Sequence, residues 1–396
     1  MLHFDHYMPT RIIFGPGKLE ELGKTPFLPK GKNAMVVIGE SGIMLQQGYL
    51  ARVQGYLSEH GVRSIVFDKI KPNPESDSVE EATRICREKK VDFIVGLGGG
   101  STIDAAKAIA LLATNEGELW DYVASGTGKN KTAANAALPI VAIPTTAGTG
   151  SEVTPGSVIT KTGSAEKIGI RHESMYPAIA LVDPTLMMSM PPFLTACTGM
   201  DAFFHAVESY LSTVRSPNSD LLALEAIHLI CHYLPRAVEE GSDEESRIAL
   251  AWASTAAGLS LSQAVAISQH SMEHALSAFY PELPHGAGLT MLAKAYFTFM
   301  AERDLERLGD LTMAMADSIG LDLPEDQLTE AFVPILEEFI RSIGLRDLKL
   351  SDYGMKREDI PALTETAFQT MGRLFEITPT EMTAEDVNTI FEKAFE

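Results

Sequence analysis

"DFIVGLGGGSTIDAAKAIA", residues 92–110, runs an apolar strand into a glycine turn and straight on into a helix. A nearly continuous apolar run is how a strand covered on both faces reads. Gly98, Gly99 and Gly100 let the backbone close on a bulky anion, because no Cβ stands in the way. The helix behind them offers unpaired N–H groups and the positive end of its dipole to a pyrophosphate. Ser101 reads as the N-cap, with Asp104 three positions on as a capping-box partner. The run is not a full G-x-G-x-x-G, since Ser101 stands where the third glycine belongs. A tight strand–helix turn without a ligand is the plain alternative.

Working outward, the same alternation continues on both sides. Strands are expected at 33–38, 63–68, 92–98, 138–144 and 178–183, with helical patterns between them at Val79–Lys90 and Thr102–Ala113. Strand–helix alternation of this kind predicts a parallel sheet covered by helices. A second loop of small residues, "PTTAGTGSEVTPGS" (144–157), follows another buried strand. Two such loops at the carboxyl ends of strands fall where open α/β sheets bind ligands.

Beyond "DPTLMMSMPP" (183–192) the character changes, and from Thr195 onward no convincing strand is found. Pro191 and Pro192 mark the boundary, because the residue before a proline disfavours helix. The expected organisation is an α/β domain over 1–190 and an all-helical domain over 191–396. A cleft between two such domains is the default place for a ligand.

Composition narrows the partners. A formal charge of −21 argues against nucleic acid or an anionic membrane, although it says nothing about one phosphate pocket. Three widely spaced cysteines, Cys86, Cys197 and Cys231, exclude a disulfide framework and suit a reducing cytoplasm. The N-terminal stretch does not read as a signal peptide, and no run of about 18 uninterrupted apolar residues spans a bilayer.

The helical half carries the metal chemistry. Asp201 and His205 in "GMDAFFHAVESY" are four apart, hence on one helix face, and His270 and His274 repeat the spacing. His285 follows in a turn, close enough to fold back. One carboxylate and several imidazoles suit Fe(II), Zn(II) or a similar divalent ion. Ordinary helix-packing histidines are the competing reading. His228 and His232 share the i, i+4 spacing but lack a carboxylate on their face, so they are read as helix surface or core edge.

Taken together, "RIIFGPGKLEEL", "PNPE", "GGGSTIDAAKAIA", "IPTTAGTGSEVT", "ALVDPTLMMSMPP", "TGMDAFFHAVESY" and "HSMEHALSAFYPELPHG" resemble the iron-containing (group III) alcohol dehydrogenase family over essentially the whole chain. The resemblance implies a Rossmann-like α/β domain followed by a helical metal domain. It implies metal ligands at Asp201, His205, His270 and His285, with His274 near the substrate but off the ion. Cofactor contacts would fall on Asn73, Gly99, Gly100, Ser101, Asp104, Thr145, Thr146 and Lys167. Family members that prefer NAD commonly carry Asp at the end of the first strand; here Gly39 holds that place and Glu40 follows, so NAD and NADP both stay open. "HALSAF" also departs from the His-Pro-Leu-Gly-Ala of many relatives, which alters the pocket wall but spares the histidines.

The expected activity is reversible hydride transfer between a small primary or secondary alcohol and NAD or NADP, with the ion acting as Lewis acid and His274 relaying the proton. The resemblance also implies a homodimer or larger homo-oligomer. A metal-dependent lyase or hydrolase of the same superfamily is the alternative, but "AFFHAV" and "HSMEHAL" lack the Lys and Arg such a substrate phosphate needs. A non-catalytic nucleotide-binding module would have no use for the histidine cluster.

Overall fold

The computed structural model describes residues 3–303 and 306–395. Six strands form one all-parallel sheet in the order β1-β8-β5-β4-β2-β3: β1 Arg11–Phe14, β2 Asn33–Gly39, β3 Arg63–Ile70, β4 Phe93–Gly98, β5 Ile140–Pro144 and β8 Ile179–Val182. The central strands are buried on both faces, and their side chains divide with the period of two that a pleated strand imposes. Met35, Val37, Ile94 and Ile140 enter the core under helices Ser76–Glu88 and Gly100–Thr114. Ala34, Val36, Ile38, Phe93, Val95, Val141 and Ile143 enter the opposite core, against helix Tyr49–Glu59.

The strand order reverses between β2 and β4, since β3 lies outside β2 while β5 and β8 lie beyond β4. That reversal is the switch point at which open α/β sheets receive ligands. It brings Gly39, at the carboxyl end of β2, beside the turn that leaves β4. A Cβ on Gly39 would stand 3.8 Å from Thr102 Oγ1.

Two features escaped the sequence. β1 is an edge strand of four residues whose partner, β8, lies far along the chain. β6 (Gly156–Thr160) and β7 (Lys167–Arg171) form an antiparallel hairpin, each strand only five residues long and carrying a glycine. Segments so short take their conformation from their partners rather than from their own pattern.

The capping expectation at Ser101 and Asp104 is corrected. Gly99 is the N-cap without any side-chain bond, and the helix starts at Gly100. Asp104 faces inward, where its carboxylate accepts from Ser151 Oγ and from the Val158 N–H at 2.8 Å. One turn further on, Lys107 is fully buried and donates to Ser151 Oγ (2.7 Å), Thr154 Oγ1 (3.2 Å) and the Gly156 carbonyl (2.7 Å). A buried carboxylate needs internal donors more than the helix end needs a cap, so Asp104 turns to Ser151 and Val158. Burial pushes the Asp104 carboxyl up and the Lys107 ammonium down to about 8. The pair ties the glycine-opened helix to the 151–158 segment.

The contacts divide the chain into two units: His6–Thr146 with Gly150–Met188, and Ala147–Thr149 with the chain from Ser189 onward. No strand occurs in the second unit among the described residues. Its helices include Pro192–Leu211, Pro217–Glu239, Glu244–Ala264, Ser268–Phe279 and His285–Ala301, around a core containing Phe203, Phe204, Tyr296 and Phe297. Pro191 is the extended N-cap of the first of them and Pro192 its first residue, where a proline's fixed φ and missing N–H suit a helix start. Arg247, almost wholly buried, donates to the Gly241 and Met190 carbonyls and to Thr195 Oγ1, tying helix starts and ends together. Pro217–Glu239 is long and apolar enough to cross a membrane by length and composition alone, and its Ala223, Ala226, Ile227, Ile230 and Leu234 join this core. His232 on the same helix holds the Ser318 carbonyl at 2.9 Å and His228 is exposed, as expected for helix surface.

Replacing Lys107 with Met should strand three polar partners in the interior and cost roughly 3–5 kcal/mol, the usual scale for removing one side of a buried charged pair. The urea midpoint of the purified protein reads this directly; an unchanged midpoint would show that the ammonium is dispensable.

Candidate metal centre

Three helix segments converge within the helical unit. Pro192–Leu211 carries Asp201 and His205, Ser268–Phe279 carries His270 and His274, and His285 opens His285–Ala301 directly after Pro284. His285 is therefore the first residue of a helix, not part of a free turn. Its approach to Asp201 depends on Gly286. A Cβ there would lie 1.8 Å from the Cys197 carbonyl, so the two helices meet backbone to backbone.

Asp201 Oδ1 sits at the centre of the group. It lies 3.6 Å from His205 Nδ1, 3.8 Å from His270 Nε2 and 3.5 Å from His285 Nε2. The ligand atoms of Asp201, His270 and His285 all fall within 4.8 Å of one another. The His205 and His270 rings stack with centroids 4.5 Å apart. Ligands about 2.1 Å from a four-coordinate ion stand about 3.4 Å apart, so these gaps suit donors around a cation.

The hydrogen-bond account supports the same conclusion. Asp201 Oδ1, His205 Nδ1 and His270 Nε2 are buried and have no hydrogen-bond partner. A buried polar atom left unbonded costs free energy, and three pointing at one place call for a cation. His274 lies beside the group, its ring 5.3 Å from that of His285 and its Nδ1 2.7 Å from Met371 Sδ. A second grouping of Glu273, His274 and His285 is also close enough to hold an ion. There, however, the Glu273 oxygens already accept from Ser277 Oγ and His285 Nδ1.

Electrostatics follow from burial and charge. Burial raises the Asp201 carboxyl, but His205, His285 and His270 outweigh it and hold the group well below the usual carboxylate range. Burial pushes His205 down to about 4 against the pull of Asp201. Burial would also lower His270, yet Glu208 and Asp201 overcome it and raise the imidazole to about 10.

Glu208 is one of two residues the sequence did not point out; it accepts from His270 Nδ1, and Glu273 does the same for His285 Nδ1. Glu208 follows His205 by three positions and Glu273 follows His270 by three, so both share a helix face with a candidate ligand. That spacing was the available signal.

The residues expected to contact the nucleotide sit in the α/β unit. Gly39, Gly99, Gly100, Ser101, Thr145 and Thr146 gather at the carboxyl ends of β2, β4 and β5. A Cβ on Gly99 would press on Thr146 Oγ1 at 3.2 Å, and the Thr145 N–H donates to the Gly98 carbonyl at 3.0 Å. Asn73, with φ of 54°, lies just past β3 in a loop held by the Pro74 carbonyl, which accepts from the Thr160 N–H at 2.8 Å. Lys167 begins β7 opposite Thr160. Asp104 differs from the others in that its carboxylate is already engaged inside the protein.

A doubly wound parallel sheet of the nucleotide-binding type and a buried carboxylate–imidazole cluster together have the makings of a metal- and nucleotide-dependent enzyme. Residues 9–184 match the iron-containing alcohol dehydrogenase family, and residues 195–395 match the C-terminal domain of the same family. The chain is 34% identical to 1,3-propanediol dehydrogenase of Klebsiella pneumoniae over 393 residues, covering 99% of each. It is 36% identical to alcohol dehydrogenase 4 of Saccharomyces cerevisiae (strain YJM789), covering 98% of each chain. Among solved structures, an archaeal halo-thermophilic alcohol dehydrogenase from a Red Sea brine pool superposes with a TM-score of 0.93 at 36% identity, covering 100% of this chain and 99% of that one. The chain belongs to the iron-containing alcohol dehydrogenase family. It is an alcohol dehydrogenase, and the cofactors of its family are a divalent metal ion and a nicotinamide dinucleotide.

The raised His270 value gives a pH signature. In metal-free protein this stabilisation is fully present below the ordinary imidazole value of 6.5 and is lost as pH rises through about 10. A metal ion needs the imidazole unprotonated. Loading the chelated protein at pH 7.5 should therefore release about one proton from His270. Calorimetric titration in buffers of different ionisation enthalpy measures it, and no proton release would contradict the assignment.

Proposed function

We propose that Asp201, His205, His270 and His285 hold the ion, Fe(II), Zn(II) or another divalent metal, and that the enzyme interconverts a small primary or secondary alcohol with its aldehyde or ketone. The observation that carries this reading is the trio of buried, unpartnered donor atoms on Asp201, His205 and His270. When bound, a divalent ion supplies Lewis acidity at the alcohol or carbonyl oxygen. The chain's own residues do the rest. Asp201 brings negative charge into a buried site and, with three neutral imidazoles, leaves net positive charge for an oxygen ligand. His274, beside the cluster but outside it, takes the hydroxyl proton in oxidation and returns it in reduction.

On the nucleotide side, the helix opening at Gly100 presents its free N–H groups to the pyrophosphate of NAD or NADP. Gly99 keeps the backbone close, while Ser101, Thr145 and Thr146 add hydroxyls to the same edge; Asn73 and Lys167 supply further polar contacts. Asp104 contributes by fixing the loop rather than by touching the ligand. Gly39 places no carboxylate at the end of β2, where a ribose 2′-OH or 2′-phosphate would lie.

Small alcohols or aldehydes are the proposed substrates, in keeping with relatives named for propanediol and butanol. The match to alcohol dehydrogenases over both halves leaves the lyase or hydrolase reading without an observation in its favour. The enzyme is further proposed to work in the cytoplasm as a homodimer or larger homo-oligomer, without nucleic acid or membrane partners. Three buried, unpaired cysteines support a reducing compartment, the formal charge of −21 supports the lack of anionic partners, and the family resemblance supports the assembly.

Asp201→Asn and His285→Ala should each lose bound metal and turnover together. His274→Ala should keep its metal while turnover falls about 10²–10⁴-fold, the scale of a general acid–base group. Elemental analysis with steady-state kinetics separates these cases, and loss of metal from His274→Ala would make that residue a ligand. Gly39→Asp should fold normally, because its Cβ meets only the Ile70 carbonyl at 3.5 Å and Thr102 Oγ1 at 3.8 Å. Its carboxylate should repel a 2′-phosphate and shift the NADH-to-NADPH ratio of kcat/KM toward NADH by about tenfold or more. An unchanged ratio would place the ribose elsewhere.

A further inference from the structure

Two carboxylates lie deep in the helical unit where no alcohol chemistry requires them. The Glu208 and Glu273 side chains are both fully buried. Glu208 accepts from the Ile267 N–H at 2.7 Å, from the His270 N–H at 3.4 Å and from His270 Nδ1. Glu273 accepts from Ser277 Oγ and from His285 Nδ1. Taking a carboxylate out of water costs several kcal/mol unless a positive charge or good donors answer it. Among the described residues no lysine or arginine pairs with Glu208. The charge it answers must reach it through His270.

We infer that Glu208 and Glu273 are positioning residues that set the affinity of the metal centre by holding His270 and His285 with Nε2 turned to the ion. Each carboxylate fixes a proton on Nδ1, so the lone pair stays on the opposite nitrogen. That nitrogen is the one found 3.8 Å (His270) and 3.5 Å (His285) from Asp201 Oδ1. A carboxylate behind the ring also makes the imidazole a stronger donor. His205 is held differently: its Nδ1 faces Asp201, and the Gly148 backbone, not a carboxylate, bonds its ring. The centre therefore has two imidazoles backed by charge and one backed by a neutral carbonyl dipole.

This inference rests on the ligand set proposed above, and the test separates the two. Chelated parent protein, Asp201→Asn, Glu208→Gln and Glu273→Gln are titrated with Co(II), following its visible absorption and competing it with a chelator of known affinity. Thermal midpoints are recorded with and without the ion. Each Gln variant should bind Co(II) about 10–100-fold more weakly, the usual effect of removing an outer carboxylate. The midpoint gain on adding metal should shrink accordingly, and the Co(II) absorption bands should shift. A purely structural role would lower both midpoints equally and leave the affinity alone. Gln variants that bind as tightly as the parent, while Asp201→Asn does not bind, overturn the positioning role and spare the ligand set. Undiminished binding by Asp201→Asn overturns the ligand set itself. If Glu208→Gln does not fold, Glu273→Gln decides alone, since its His285 partner lies at the more exposed side of the centre.

Discussion

A carboxylate oxygen, buried, ringed by imidazole nitrogens and bonded to none of them, is the constraint around which the helical unit is arranged. Asp201 Oδ1 is too far from each nitrogen for a hydrogen bond and too near them to be ignored. Left as it is, the arrangement carries the cost of three buried donor atoms without hydrogen bonds, which the attraction between Asp201 and the nearby imidazoles answers only in charge. A cation removes that cost for every member at once. The helix start at Pro192, the backbone contact at Gly286 and the helix opening at His285 all place donors around this one point.

The α/β unit solves a different problem with similar means. Its ligand edge consists mainly of backbone, which has no side chain to hold it in shape. Lys107 and Asp104 supply the shape from beneath, bridging the helix that follows β4 to the segment that follows β5. Burying an ammonium beside a carboxyl is tolerable there because three acceptors meet Lys107 and two donors meet Asp104. Both units thus place ionised groups in the interior where a ligand edge must be rigid.

Much of this was legible in the residues. Buried parallel strands advertise themselves by unbroken apolar runs, so β2, β4, β5 and β8 could be read directly, and the edge strand β3 by the shorter Ile65–Phe67 run. The i, i+4 pairs at Asp201/His205 and His270/His274 pointed to the carboxylate–imidazole cluster, because helical spacing is a local property. What could not be read depends on partners distant in the chain. β1 is a strand because β8 is beside it, and β6 and β7 exist as each other's partners. Asp104 looked like a cap because local rules place it there, while a hairpin some fifty residues on claims its carboxylate. Glu208 and Glu273 sat in plain view in "HAVESY" and "HSMEHAL", but only the packed helices reveal that each faces a ring nitrogen.

The contact of Gly286 with the Cys197 carbonyl sets how the centre responds to disturbance. Main chain rests on main chain there, so the spacing between the helices that carry Asp201 and His285 is indexed to covalent geometry rather than to rotamers. Rearranged core side chains would leave that spacing alone. Selectivity for alcohols can consequently drift through changes in the surrounding wall while the grip on the ion stays as it was.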